Sequence, residues 1–139
     1  MIVLDASIVV AWYLEPSNAT ASAVADSLAE SGAVVPGNFH TEVAQALLRA
    51  ERLALFATDD MLRATEDMLG LPVAVKLPPF SVIVAMARRH HLSAYDGAYL
   101  ALAVDSGAPL ATLDAKLASA AKSEKLLWAS KTRRPRRRV

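Results

Sequence analysis

The 139-residue sequence predicts a three-layer α/β/α fold, with helices covering both faces of a parallel sheet of about four to five short strands. Three observations carry this. Short uninterrupted apolar runs recur, such as Ile2-Val3-Leu4 and Ala33-Val34-Val35, and such runs suit strands buried on both faces. Segments with apolar residues at helical spacing separate them. Hydrophobic residues make up 54% of the chain, so one sizeable core can form without covalent staples.

Ile2-Val3-Leu4 is the first strand and ends at Asp5. An apolar helix runs from Ala6 to Leu14 and stops at Glu15-Pro16. Asn18 to Glu30 carries Ala21, Val24, Ala25 and Leu28 at helical spacing, and Gly32 closes it. Ala33 to Pro36 is the second strand. Helices follow from Asn38 to about Arg52 and from Thr58 to Leu69, the latter stopped by Gly70. Val73-Ala74-Val75 reads as a third strand. Pro79 to His91 is helical, with prolines at its start, where a missing N–H costs little. Ser93 to Ser106 is a helix closed by Gly107. Leu110-Ala111-Thr112 is a strand, Asp114 to Lys122 a helix, and Leu126-Leu127-Trp128 a last short strand. Residues 1–130 form the globular domain, and 131–139 are expected to be a basic, disordered tail.

The chain has no cysteine. That excludes disulfide frameworks, cysteine zinc sites, iron–sulfur clusters and thiol catalysis. No apolar window is long enough to span a bilayer, and no basic segment precedes Ile2 as a secretory signal would require. A cytoplasmic protein with no membrane partner is expected. The formal charge of +1 hides an asymmetry: residues 131–139 hold six of the fifteen basic residues, and residues 1–130 carry a net charge of −5.

In open parallel sheets, ligands bind beyond the carboxyl ends of the strands, where the strand order reverses. Asp5 ends the first strand, and Asp114 lies just past the fourth. Glu42 lies one turn into the helix after the second strand, and Asp96 in the first turn of the helix before the fourth. Singly, each has a plain structural reading. Asp5 and Asp114 suit helix N-caps, Ser93 to Asp96 resembles a capping box, and Glu42 suits a first helical turn. Jointly, four acids from distant segments map to one end of one sheet. Such acids repel, and burial raises their pKa values further. A hard divalent cation resolves the conflict, and all-oxygen ligands select Mg²⁺, with Mn²⁺ as a substitute. That chemistry can activate water for attack at phosphorus without a protein nucleophile.

At these residues the sequence resembles the PIN domain family. Ile2-Val3-Leu4-Asp5-Ala6-Ser7 is similar to the family's opening motif, and Pro36 with Glu42-Val43-Ala44-Gln45-Ala46-Leu47 to its second. Ser93-Ala94-Tyr95-Asp96-Gly97-Ala98-Tyr99-Leu100-Ala101-Leu102-Ala103 resembles the third, the most specific, and Ala111-Thr112-Leu113-Asp114-Ala115-Lys116-Leu117 the fourth. The motifs run in order from residue 1 to about 128, and the length suits the VapC-like toxins of bacterial toxin–antitoxin pairs. The resemblance implies a Mg²⁺-dependent endonuclease for single-stranded RNA, leaving a 5′-phosphate and a 3′-hydroxyl. It implies Asp5, Glu42, Asp96 and Asp114 as catalytic metal ligands, with Ser7 and Thr112 supporting them. It also implies a homodimer and an antitoxin partner. Gln45 departs from the family, where Asn is frequent, which leaves its expected contact with the site open.

Other residues carry weaker signals. Arg49 lies seven residues after Glu42 on roughly the same helical face, and could bind RNA phosphate or pair with an acid. Lys116 could meet phosphate, although an exposed first-turn lysine is the simpler reading. In the tail, Arg133, Arg134, Arg136, Arg137 and Arg138 suit sequence-independent contact with RNA, or a solubilising role. His90 and His91 are adjacent and so point apart on a helix; structural or surface roles are expected for them rather than metal ligation, and a solvated helix end for Arg88-Arg89. Trp12 and Tyr13 suit packing or a protein interface better than base stacking. A receiver-like phosphoacceptor needs an acidic pair at the first strand, and a haloacid-dehalogenase-type phosphatase needs Asp-x-Asp; the chain has Asp5-Ala6-Ser7. No Walker loop or dinucleotide fingerprint is present. The alternative function is a non-catalytic RNA- or protein-binding module on the same fold.

Overall fold

A computed structural model describes residues 1–130. The expected tail, with its five arginines, lies outside the described residues. Four strands form one parallel sheet: β1 (Ile2–Leu4), β2 (Ala33–Val35), β3 (Val73–Val75) and β4 (Leu110–Ala111). Seven helices flank it: α1 (Ala6–Leu14), α2 (Ala19–Ser31), α3 (Phe39–Arg52), α4 (Thr58–Leu69), α5 (Phe80–His90), α6 (Ala94–Ser106) and α7 (Ala115–Ser123). The layered α/β/α arrangement is the expected one. Two details differ. The expected fifth strand is reduced to a single parallel bridge between Leu127 and Leu110. The fourth strand ends at Ala111, because Thr112 turns its hydroxyl into the site instead of continuing the ladder.

The strand order is β3-β2-β1-β4. The chain builds outward from β1 to β3, then crosses back to place β4 on the other side of β1. The order therefore reverses between β1 and β4, and that is where a parallel sheet opens a crevice. Registry fixes what meets there. Val3 pairs with Leu110 and Leu4 with Ala111, and the Asp5 N–H donates to the Ala111 carbonyl at 3.0 Å. Asp5 and Thr112 thus leave the sheet side by side.

The core follows from composition. Val3, Leu4, Ile8, Val9, Val34 and Val35 are fully buried. In α6 every residue from Gly97 to Ala103 is buried, as suits a helix that is apolar all round. Its close neighbour is α5: a Cβ on Gly97 would stand 3.0 Å from the Ala87 Cβ. Gly107 ends α6 in the left-handed region, at φ 61°, where glycine avoids a side-chain penalty. Gly70 follows α4 without that geometry, at φ −94°, so its stop does not depend on glycine. Trp12 and Tyr13 pack against the core. The Trp12 indole donates to the Ala21 carbonyl at 2.8 Å, and the Tyr13 hydroxyl to Asp67 at 2.7 Å. Arg89 and His90 both reach the Glu124 carboxylate at 2.8 Å, which gives His90 the expected structural role and ties the end of α5 to the end of α7. Arg88 is exposed. No helix among the described residues is long and apolar enough to cross a membrane.

Candidate active site

Asp5 is the anchor. It is 6% exposed, and its side chain does not cap α1. Its Oδ2 instead accepts from the Ser7 hydroxyl and, at 2.8 Å, from the Thr112 hydroxyl. Backbone geometry commits both hydroxyls. Ser7 Oγ accepts from the Leu113 N–H at 3.0 Å, and Thr112 Oγ1 from the Asp114 N–H at 3.0 Å. Each hydroxyl hydrogen is thereby left for the carboxylate. Burial pushes the Asp5 carboxyl above its ordinary value, against the two hydroxyls and the Ser7 and Ala6 backbone N–H groups that hold it down.

Glu42, half-buried in the first turn of α3, is held in the same manner. Its Oε2 accepts from the Asn38 amide at 2.8 Å and from the Tyr99 hydroxyl at 2.6 Å. Asp114 caps α7, its Oδ2 accepting from the Leu117 N–H at 3.0 Å, so the capping reading holds for this residue. The three carboxylates share a pattern: one oxygen is bound to the protein, and the other has no side-chain partner among the described residues. Asp96 is half-buried. Only half of the expected capping box forms: Ser93 Oγ accepts from the Asp96 N–H at 3.1 Å, while the Asp96 carboxylate makes no hydrogen bond among the described residues.

Asp5, Glu42 and Asp114 all act electrostatically on Asp96. Asp96 has its pKa raised first by burial, then by the charges of Asp5, Asp114 and Glu42, with Lys116 acting in the opposite sense. Among the described residues, three acidic charges act on Asp96 against that of Lys116. Among the described residues, no three His, Asp or Glu side chains stand close enough to form a metal cage by themselves. The donor set nonetheless fits a hard divalent cation that keeps several waters: all donors are oxygens, and Asp5, Glu42 and Asp114 are oriented by hydrogen bonds to one oxygen each.

Sequence reasoning missed two residues. Tyr99 reads as an apolar-face residue, and Asn38 as a helix opener. The signals were a tyrosine in a wholly buried segment, whose hydroxyl needs a partner, and the i,i+4 spacing of Asn38 and Glu42. Gln45 is exposed and makes no side-chain hydrogen bond among the described residues; Asn38 supplies the amide to Glu42 instead. Arg49 is exposed and lines a groove beside Glu42. Lys116 is exposed at the cluster's edge.

An oriented group of carboxylates at the reversal point of a small parallel sheet defines an α/β domain with an acidic site. A PIN domain model matches residues 2–123, and the chain belongs to the PIN domain family. It is 38% identical over 119 residues to "Ribonuclease VapC12" of Mycobacterium tuberculosis, covering 85% of this chain and 90% of the relative. It is 30% identical over 127 residues to "Ribonuclease VapC3" of Pyrobaculum aerophilum, covering 84% and 92%. The crystal structure of PAE2754 from Pyrobaculum aerophilum superposes with a TM-score of 0.66 at 22% identity, over 86% of this chain and 83% of that one. That likeness shows the fold.

Proposed function

We propose that this chain is a cytoplasmic endoribonuclease that cuts single-stranded RNA with a bound divalent cation, Mg²⁺ or Mn²⁺. In this reading it is the toxin of a toxin–antitoxin pair, acts as a homodimer and is restrained by a cognate antitoxin. The observation that carries the reading is that the charges of Asp5, Asp114 and Glu42 all act on the half-buried Asp96, with Lys116 acting against them. The ribonuclease names of the relatives support the choice of RNA.

Asp5, Glu42, Asp96 and Asp114 would hold the cation. When bound, the ion supplies Lewis acidity toward a phosphodiester and its attacking water. Ser7 and Thr112 keep Asp5 oriented and favour its ionised form. Asn38 and Tyr99 hold Glu42 in place through its Oε2. Lys116 offers positive charge to an incoming phosphate. Arg49 and the arginines of 131–139 extend that attraction along the RNA.

The test is cleavage of total cellular RNA by the purified full-length protein, free of antitoxin, in EDTA, Mg²⁺ or Mn²⁺. Discrete cuts with 5′-phosphate ends are expected with metal, none in EDTA and none for Asp5→Asn/Asp96→Asn. Intact RNA in every condition, from folded protein, favours the binding-module alternative.

A further inference from the structure

A groove of about 570 Å³ opens beside the carboxylates. Thr41, Glu42, Gln45, Ala46 and Arg49 of α3 line one side, and Tyr95 of α6 the other. Tyr95 is 66% exposed, directly before Asp96 in the chain. An aromatic ring left in water forgoes a large burial gain. Among the described residues this one makes no ring contact and no hydroxyl hydrogen bond. Its backbone is tied to the site: Asn38 Nδ2, which holds Glu42, also donates to the Tyr95 carbonyl at 3.4 Å. Arg49 is exposed and forms no ion pair among the described residues.

The groove therefore presents a flat π face, a free guanidinium and the Gln45 amide, and it shares Glu42 with the acidic site. Those three groups match the three parts of an unpaired nucleotide. A base stacks on an aromatic ring, a phosphate accepts from a guanidinium fork, and a base edge hydrogen-bonds an amide. We propose that this groove binds one nucleotide of single-stranded RNA next to the scissile phosphate, its base stacked on Tyr95, its phosphate held by Arg49 and its edge read by Gln45. The inference rests on the ribonuclease reading for its link to cleavage, while the binding itself is measurable without cleavage.

The experiment is fluorescence anisotropy of eight-nucleotide homopolymers of A, C, G and U with the full-length protein in EDTA. Tyr95→Ala should weaken binding roughly 5-fold to 150-fold, the range for loss of one base–aromatic stack. Tyr95→Phe keeps the π face and should bind as the native protein does. Gln45→Ala should change the ranking of the four homopolymers, and Arg49→Ala should flatten the log–log salt dependence by about 0.7. Native affinity in Tyr95→Ala, an equal loss in Tyr95→Phe, or no binding by the native protein would each overturn the subsite. If the native protein binds with this pattern yet cuts no RNA in metal, the subsite stands and the ribonuclease reading fails.

Discussion

The Tyr99 hydroxyl donates to Glu42 Oε2 across 2.6 Å, joining the buried centre of α6 to the first turn of α3. Burial, and then the Glu42 carboxylate itself, raise the Tyr99 phenol far above its usual range. The phenol therefore stays protonated and remains a donor. With Asn38 on the same oxygen, the other Glu42 oxygen has no side-chain partner among the described residues, as Oδ1 of Asp5 has none.

Tyr99→Phe removes this donor and leaves Asn38 to hold Glu42 alone. The expected cost is about 1.5–3 kcal/mol, the range for a hydrogen bond to a charged group. Urea denaturation measures it, with an unchanged m-value. Metal-dependent RNA cleavage should fall in the same variant, because Glu42 gains freedom. Unchanged stability and cleavage would show that Asn38 suffices.

The four carboxylates are legible in the sequence because each sits at a strand end or a first helical turn, where the parallel-sheet topology fixes its position. Ser7 and Thr112 are legible as hydroxyls of the same motifs. Their wiring is not, because it depends on the register of β1 against β4 and on the N–H groups of Leu113 and Asp114. Tyr99 hides among seven consecutive buried residues of α6, where periodicity cannot distinguish a core ring from a hydrogen-bond donor. The fifth strand fails for another reason: Leu110 donates to the Leu126 carbonyl and accepts from the Trp128 N–H, enough for a bridge but not a ladder.

Asp96 predicts a specific pH dependence. Its pKa is raised above 3.8, first by burial and then by the charges of Asp5, Asp114 and Glu42. Between 3.8 and that raised value the folded protein binds more protons than the unfolded chain. Stability from this group is therefore complete below the unfolded pKa and is lost as pH rises through the folded one. In EDTA, Asp96→Asn should melt at a higher temperature than the native protein at pH 7, and the gap should close below pH about 4. A lower Tm at pH 7 would mean that the carboxylate stabilises the metal-free fold.

Metal should reverse that penalty. At ten times the dissociation constant, a ligand stabilises by about 1.4 kcal/mol, or roughly 4–5 °C for a chain of this size. Differential scanning fluorimetry with Mg²⁺ and Mn²⁺ should show a rise of this order in the native protein and none in Asp5→Asn/Asp96→Asn. An equal rise in both would place the ion elsewhere.

Gly97 sets the approach of α5 to α6. An added Cβ would meet the Ala87 Cβ at 3.0 Å and the Ile83 carbonyl oxygen at 3.3 Å. Overpacking costs typically about 1–3 kcal/mol, against a helix-propensity gain of up to about 1 kcal/mol for Gly→Ala. Gly97→Ala should therefore be less stable by about 1 kcal/mol in urea, since α5 has to move away. The displacement reaches Asp96, the preceding residue, so cleavage should fall as well. A stabilised variant would show that α5 yields freely.

Residues 131–139 carry six positive charges attached to a domain of net charge −5. If those charges meet phosphates, each releases counterions, and the binding constant for single-stranded RNA should fall with salt by a slope of up to about 4 from the tail alone. Removing residues 131–139 should weaken RNA binding at 50 mM salt, flatten the slope by up to that amount, and leave the Tm shift with Mg²⁺ intact, because all four carboxylates lie within residues 1–130. Anisotropy titrations of one RNA at several salt concentrations, with full-length and shortened protein, read both quantities. An unchanged slope would assign the tail to offsetting the charge of the acidic domain and leave RNA contact to Arg49, Lys116 and the groove.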